Sequence, residues 1–423
     1  MKAAENTRPA VDPPVAAEPA LLDKVSYLSR QPILDRRGAE LGYELHFHAM
    51  PEQRLEGGLS PVSRGMLDTL ALFGVERFTG GALGFVACTQ EVLTGELLEG
   101  VPTEHTVLEI PPFAELSPKL VRSIRELTEA GFKLALAGYG ADDPRQGLLP
   151  VVDYVKVDIA AIESPQWGRL RKGLYGSKAA IVAENIHSHA GYGKARAAGL
   201  QYFQGYYFCH PELIPNGKLP AAHAHRFEIL QELFRDPLDL KALCPLVSRD
   251  PSLVYRVLRF ANSPVCALRS PVTSVESAIM VMGDAAFRRI ATLAIQCTLS
   301  QDQSPELLRM ALLRASFCAQ AAPHCGLQAE EMYLMGMLSL LPAMLQVPMN
   351  VVLEGLPLRE PIREALAGRP RREGCLLAWL EDVEANNIAG CEGTAEQYGL
   401  DTHLLAQIYL EAMDAVSKDV WMD

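Results

Sequence analysis

In the first half of the chain, short apolar runs alternate with longer amphipathic ones. Eight runs read as strands: VSYLSRQPIL, LGYELHFH, LGFVACT, TVLEI, KLALAG, YVKVDI, AAIVAEN and YFQGYYF. Between several of them lie helical patterns such as LSPKLVRSIRELTEAG. There, apolar residues recur every three or four positions and Gly131 closes the helix. Alternation of strand and helix predicts parallel strands joined by crossover helices. The count approaches eight between Val25 and Pro211, which predicts a compact (β/α) barrel.

The pattern changes after Pro211. HPELIPNGKLP carries three Pro and one Gly and reads as a linker. Beyond it there is almost no alternation of period two, and helix starts are well marked. Asp250 and Ser304 stand as N-caps, each followed by Pro at the first helical position. The second half therefore reads as an all-α domain. The expected division is a disordered segment over 1–24, a barrel over 25–215 and a helical domain over 216–423. Met332 to Leu353 lacks charge and is long enough to span a bilayer. Pro342, Pro348, Gln346 and Asn350 interrupt it, so it reads as buried helix followed by a turn, and Met332, Met335, Met337 and Met344 as packed core.

Composition narrows the function. The chain has 423 residues, with 39 Lys plus Arg against 51 Asp plus Glu, a net charge of -12. Phosphate backbones and anionic membranes are bound through clustered Lys and Arg, so neither is an expected partner; Arg288 and Arg289 are too few for a basic stripe. The nine Cys are scattered without a C-x-x-C pair, as expected of reduced thiols in the cytoplasm. The N-terminus lacks the apolar core of a signal peptide.

Chemistry in a barrel sits at the C-terminal ends of its strands. The polar residues there are Glu44, Glu109, Lys156, Asp158, Glu184 and Gln204. Carboxylates gathered at one mouth suit a hard divalent cation, which could activate water against a phosphodiester.

RQPILD, GYEL, LEI, VKVD, VAEN and FQGYYF, in this order and spacing, resemble an EAL domain. The resemblance implies a TIM-like barrel that hydrolyses cyclic di-GMP with two metal ions. LVSRDPSLVYRVLRFANSP followed by SVESAIMVMG resembles an HDOD domain, a helical relative of HD-type phosphohydrolases without their metal-binding His and Asp. Arg249, Asp250, Pro251, Asn262, Ser263 and Gly283 fall where that family has them. The order EAL then HDOD is similar to a bacterial two-domain arrangement associated with regulation.

Several positions depart from the EAL pattern. E-A-L-x-R becomes Glu44-Leu45-His46-Phe47-His48, so the ligand-gripping Arg is His48. The metal-binding Asn is Ala87, and the second Glu after Glu109 is Pro112. The D-D-F-G motif is Ala137-Gly138-Tyr139-Gly140, and G-V-E is Asn185-Ile186-His187. Loss of even one outer-shell group typically costs 10–100-fold in metal affinity or activity. The expectation from sequence is therefore a non-catalytic signalling protein without cofactor, acting through protein contacts, with cyclic di-GMP not expected as ligand. The alternative is a cyclic di-GMP receptor or residual phosphodiesterase. Glu44, His46 and His48 share one strand face and form a secondary candidate for Zn²⁺ or Fe²⁺. EAL domains often pair, so a homodimer is possible on the resemblance. In the helical half, Ser339-Leu340 stands where HD-type enzymes carry His-Asp.

Overall fold

The computed structural model describes residues 27–48, 61–95, 97–162, 164–209, 221–263, 272–300 and 304–418. The expected N-terminal segment, the linker and the domain boundary lie outside the described residues.

Eight strands close into a barrel in sequence order. They are β1 (Tyr27–Asp35), β2 (Glu40–His48), β3 (Leu83–Ala87), β4 (Thr106–Ile110), β5 (Lys133–Leu136), β6 (Tyr154–Asp158), β7 (Ala180–Glu184) and β8 (Tyr202–Gln204). From β2 to β8 neighbours run parallel, but β1 is antiparallel to both β2 and β8. The expectation of uniformly parallel strands is corrected here, because β1 and β2 have no helix between them. Asp35 Oδ1 accepts from the backbone N–H of Arg37 at 2.7 Å and of Ala39 at 2.9 Å, closing a hairpin. A connection that short can only return antiparallel.

Inward-facing positions recur every second residue. Ile33, Phe85, Val107, Ala135 and Val182 form a buried apolar layer inside the barrel. Two residues further along the parallel strands, the same face carries Ala87, Glu109, Ala137 and Glu184. The apolar floor thus excludes water beneath the polar mouth.

Among its described residues the second half is built of helices and turns. Its first helices run Ala221–Leu233, Leu240–Ser248, Pro251–Ala261, Val275–Met282 and Asp284–Leu299. Pro305–Ala321 and Ala329–Leu338 then pack closely, and Cys375–Glu384 and Thr402–Lys418 complete the core. Gly336 makes that pairing possible: a Cβ there would lie 2.6 Å from the carbonyl oxygen of Arg314.

Two of the N-caps expected from sequence are in place. Asp250 accepts from the N–H groups of Ser252 and Leu253, each at 3.1 Å, and Ser304 accepts from Glu306 at 3.3 Å. Among the described residues no single helix is long and apolar enough to cross a membrane. The uncharged run breaks into Ala329–Leu345 and Met349–Gly355, bent by 116°. Met332, Met335, Met337 and Met344 are fully buried, as core.

The helical half packs on the outside of β1 and β2. The Tyr43 hydroxyl donates to Glu306 at 2.7 Å, Arg309 pairs with Glu306 at 2.6 Å and also with Glu40, and Ser304 donates to the Gly38 carbonyl at 2.8 Å. One continuous apolar core joins Leu28 and Leu45 of the barrel to Phe317, Trp379 and Tyr409.

Candidate active site at the barrel mouth

Lys156 organises the mouth. Its ammonium is buried and lies 2.8 Å from Glu44, 2.8 Å from Glu109 and 3.7 Å from Glu184. Gln204 donates through Nε2 to Glu44, and to Gln31 of β1 at 2.6 Å. Strand alternation allows this gathering: β2, β4, β6, β7 and β8 each present one inward side chain to the mouth. Five of the six expected residues therefore form one cluster.

Asp158 stands one step further out. It accepts from the N–H of Ala160 at 2.8 Å and Ala161 at 3.2 Å, and from Asn185 Nδ2 at 2.9 Å. Gln31 is not among the residues singled out from the sequence, and Asn185 enters there only as a departure from G-V-E, not as a partner of Asp158. Asn185 adopts a left-handed φ of 60°, which asparagine tolerates better than most residues. Its place in the VAEN run was the available signal. Gln31, in RQPILD, reaches the cluster only because β1 closes the barrel.

The electrostatics follow from three carboxylates around one ammonium. With all ionised, the cluster would hold a surplus of negative charge out of water, so it retains a proton. Burial and the charge of Glu44 push Glu109 from its ordinary 4.5 up to about 8, against the pull of Lys156. Burial opposes ionisation of Glu44 too, but Lys156, His46 and the bonds from Lys156 and Gln204 outweigh it and hold Glu44 at about 2. Burial also raises Glu184. Lys156 loses solvation, yet Glu109, Glu44 and Glu184 together keep it charged. Two carboxyls with separated proton affinities form an acid–base pair.

The positions expected from sequence to depart from the EAL pattern sit around this cluster. Ala87 and Ala137 face the mouth with side chains that offer no oxygen. Gly138 has φ 54°, and a Cβ there would lie 3.0 Å from Pro112 Cγ. Pro112 and Gly138 therefore fit each other, and an Asp at 138 would be strained. His187 is exposed beyond β7. His46 Nε2 lies 3.8 Å from Glu44, and burial lowers its proton affinity. The His48 side chain lies outside the described residues.

Glu44, Glu109 and Glu184 are engaged by Lys156, and no group of three His, Cys, Asp or Glu among the described residues is arranged to hold a metal. The residues present do not fit a pair of ions sharing carboxylate ligands.

The HDOD-motif positions are structural joints. Arg249 ends one helix and Asp250 and Pro251 begin the next. Asn262 holds Val272 through bonds of 2.8 and 2.6 Å. Ser263 donates its N–H to Phe260 at 2.9 Å, and Gly283 joins two helices with φ 78°.

Residues 219–347 match the model of the HDOD domain. The chain is 28% identical over 396 residues to the cyclic di-GMP phosphodiesterase CdgJ of Vibrio cholerae, covering 92% of this chain and 91% of the relative. It is 26% identical over 400 residues to the uncharacterized protein YuxH of Bacillus subtilis, covering 92% and 97%. Among solved structures it is similar to Bacillus subtilis YkuI, a protein with an EAL domain in complex with cyclic di-GMP and calcium. That similarity has 18% identity and a TM-score of 0.35, and covers 62% of this chain and 72% of YkuI.

Two expectations are corrected by these relatives. The reading as a non-enzyme is overturned by similarity over nearly the whole length to a named phosphodiesterase. The same finding overturns the expectation that cyclic di-GMP is not a ligand. The physical reason lies in the mouth: Lys156 and four of its polar neighbours form one ordered cluster.

Proposed function

We propose that this chain, an EAL-like barrel joined to an HDOD domain, acts in cyclic di-GMP signalling by binding the dinucleotide at the barrel mouth and hydrolysing it slowly. The observation that carries this reading is the buried layer of Glu44, Glu109, Lys156, Glu184 and Gln204. Lys156 offers positive charge to a phosphodiester. Glu44, ionised near neutral pH, can accept a proton from an attacking water. Glu109, held protonated, can give one to the departing oxygen. Turnover is slow because the ammonium is already engaged by three carboxylates, and a phosphate must compete with them.

The test is incubation of the purified full chain with cyclic di-GMP, with Mg²⁺, with Mn²⁺ and with chelator, following the linear dinucleotide by chromatography. Turnover that falls at least about 100-fold in Glu44→Gln supports the reading. No product under any of the three conditions overturns it. The signalling role further rests on the packing of the helical half against β1 and β2. Tyr43 touches Glu306 from the residue adjoining Glu44, so a partner held by the helical half could be felt at the mouth.

A further inference from the structure

We infer that the helical half holds a second ligand site, a cleft for a small amphipathic anion between the helices Pro251–Ala261, Asp284–Leu299 and Ala329–Leu338. Two cavities of about 570 and 260 Å³ adjoin there and share Arg289 and Tyr333. The smaller is lined by apolar side chains together with Arg256 and Arg289. Helical spacing builds it: Arg256 and Phe260 lie one turn apart, and Arg289, Leu293 and Cys297 recur every four residues on the next helix.

Most arginines around the helical core are neutralised. Arg314 has Glu384, Arg309 has Glu306, and Arg359 has Glu331. Among the described residues, Arg256 and Arg289 have no carboxylate within ion-pair distance. Arg289 instead lies over the Tyr333 ring, 5.4 Å from its centroid. Two guanidiniums left without counter-charge at the rim of an apolar cavity define the ligand chemistry. They take an anionic head, and the cavity takes a short acyl chain or a single aromatic ring.

The wider cavity is a worse place for the head. Asp236 and Asp284 line it, and its Arg288 is committed to the carbonyls of Leu233 and Arg235. This distribution places the head at Arg256 and Arg289 and the body in the smaller cavity. The site is separate from the barrel mouth and does not depend on the phosphodiesterase reading.

The probe is 8-anilinonaphthalene-1-sulfonate, an aromatic sulfonate, titrated into the full chain by fluorescence and displaced with octanoate or octanol. The expected result is one saturable site, displaced by octanoate at least tenfold more effectively than by octanol. Arg289→Met and Arg256→Met should each weaken octanoate at least tenfold, with circular dichroism unchanged. Arg371→Met, a remote surface control, should leave it unaltered. Equal displacement by octanol overturns the inference, as does undiminished binding in both folded variants.

Discussion

The two halves each bury one cation among glutamates, and the comparison separates a site from a strut. In the helical half, Arg314 bonds Glu384 through Nε at 3.1 Å and Nη2 at 2.6 Å, and reaches Ser339 and Glu381 through Nη1, both at 3.1 Å. A planar fork meets a carboxylate squarely and every nitrogen is used. Burial raises Glu384, and Arg314 offsets only part of that rise. At the barrel mouth one compact ammonium serves three carboxylates, and the surplus charge is relieved by retaining a proton. Only the second arrangement sets a carboxyl held up at about 8 beside one held down at about 2. A buried ion cluster by itself argues structure; unequal charge at an opening argues chemistry.

The largest expected effect is from Arg314→Met, which leaves Glu384 buried and unpaired. It should cost about 3–5 kcal/mol in urea unfolding. Adding Glu384→Leu should recover most of that loss. If the single variant is near wild type, the strut reading fails.

Lys156→Met should abolish turnover while costing less stability, about 1–3 kcal/mol. Glu109 and Glu184 can take up protons there, so the cost should grow with rising pH. A cost as large as that of Arg314→Met would erase the distinction between the clusters.

Tyr43→Phe removes the hydroxyl from buried Glu306 and should cost about 1 kcal/mol. Arg309 remains to pair that carboxylate. The accompanying turnover measurement shows whether the joint between halves reaches Glu44.

The fourth effect is a slope with pH. The folded chain keeps Glu109 protonated to a higher pH than the unfolded chain does. Its contribution is therefore complete below about 4.5 and is lost as pH rises toward about 8. Glu109→Gln should flatten unfolding stability across that window, by up to about 1.4 kcal/mol per pH unit. An unchanged slope would mean the retained proton sits elsewhere in the cluster.

Much of this was legible in the amino-acid order. Eight strand-like runs, the Asp250–Pro251 and Ser304–Pro305 helix starts and the Met-rich core follow from local periodicity and capping, which depend on near neighbours. The strand-end positions of Glu44, Glu109, Lys156, Glu184 and Gln204 were legible for the same reason. Tertiary structure alone decided the rest. The reversal of β1 is local to the Asp35–Ala39 turn, but its pairing with β8 came from barrel closure. The roles of Gln31 and Asn185, the fit of Pro112 against Gly138, and the partners of Arg314 all join residues far apart in the chain. So does the charge of the mouth: a glutamate's proton affinity depends on burial and on which other charges the fold places within a few ångströms. Sequence named the groups; only their assembly around Lys156 determined which one keeps a proton.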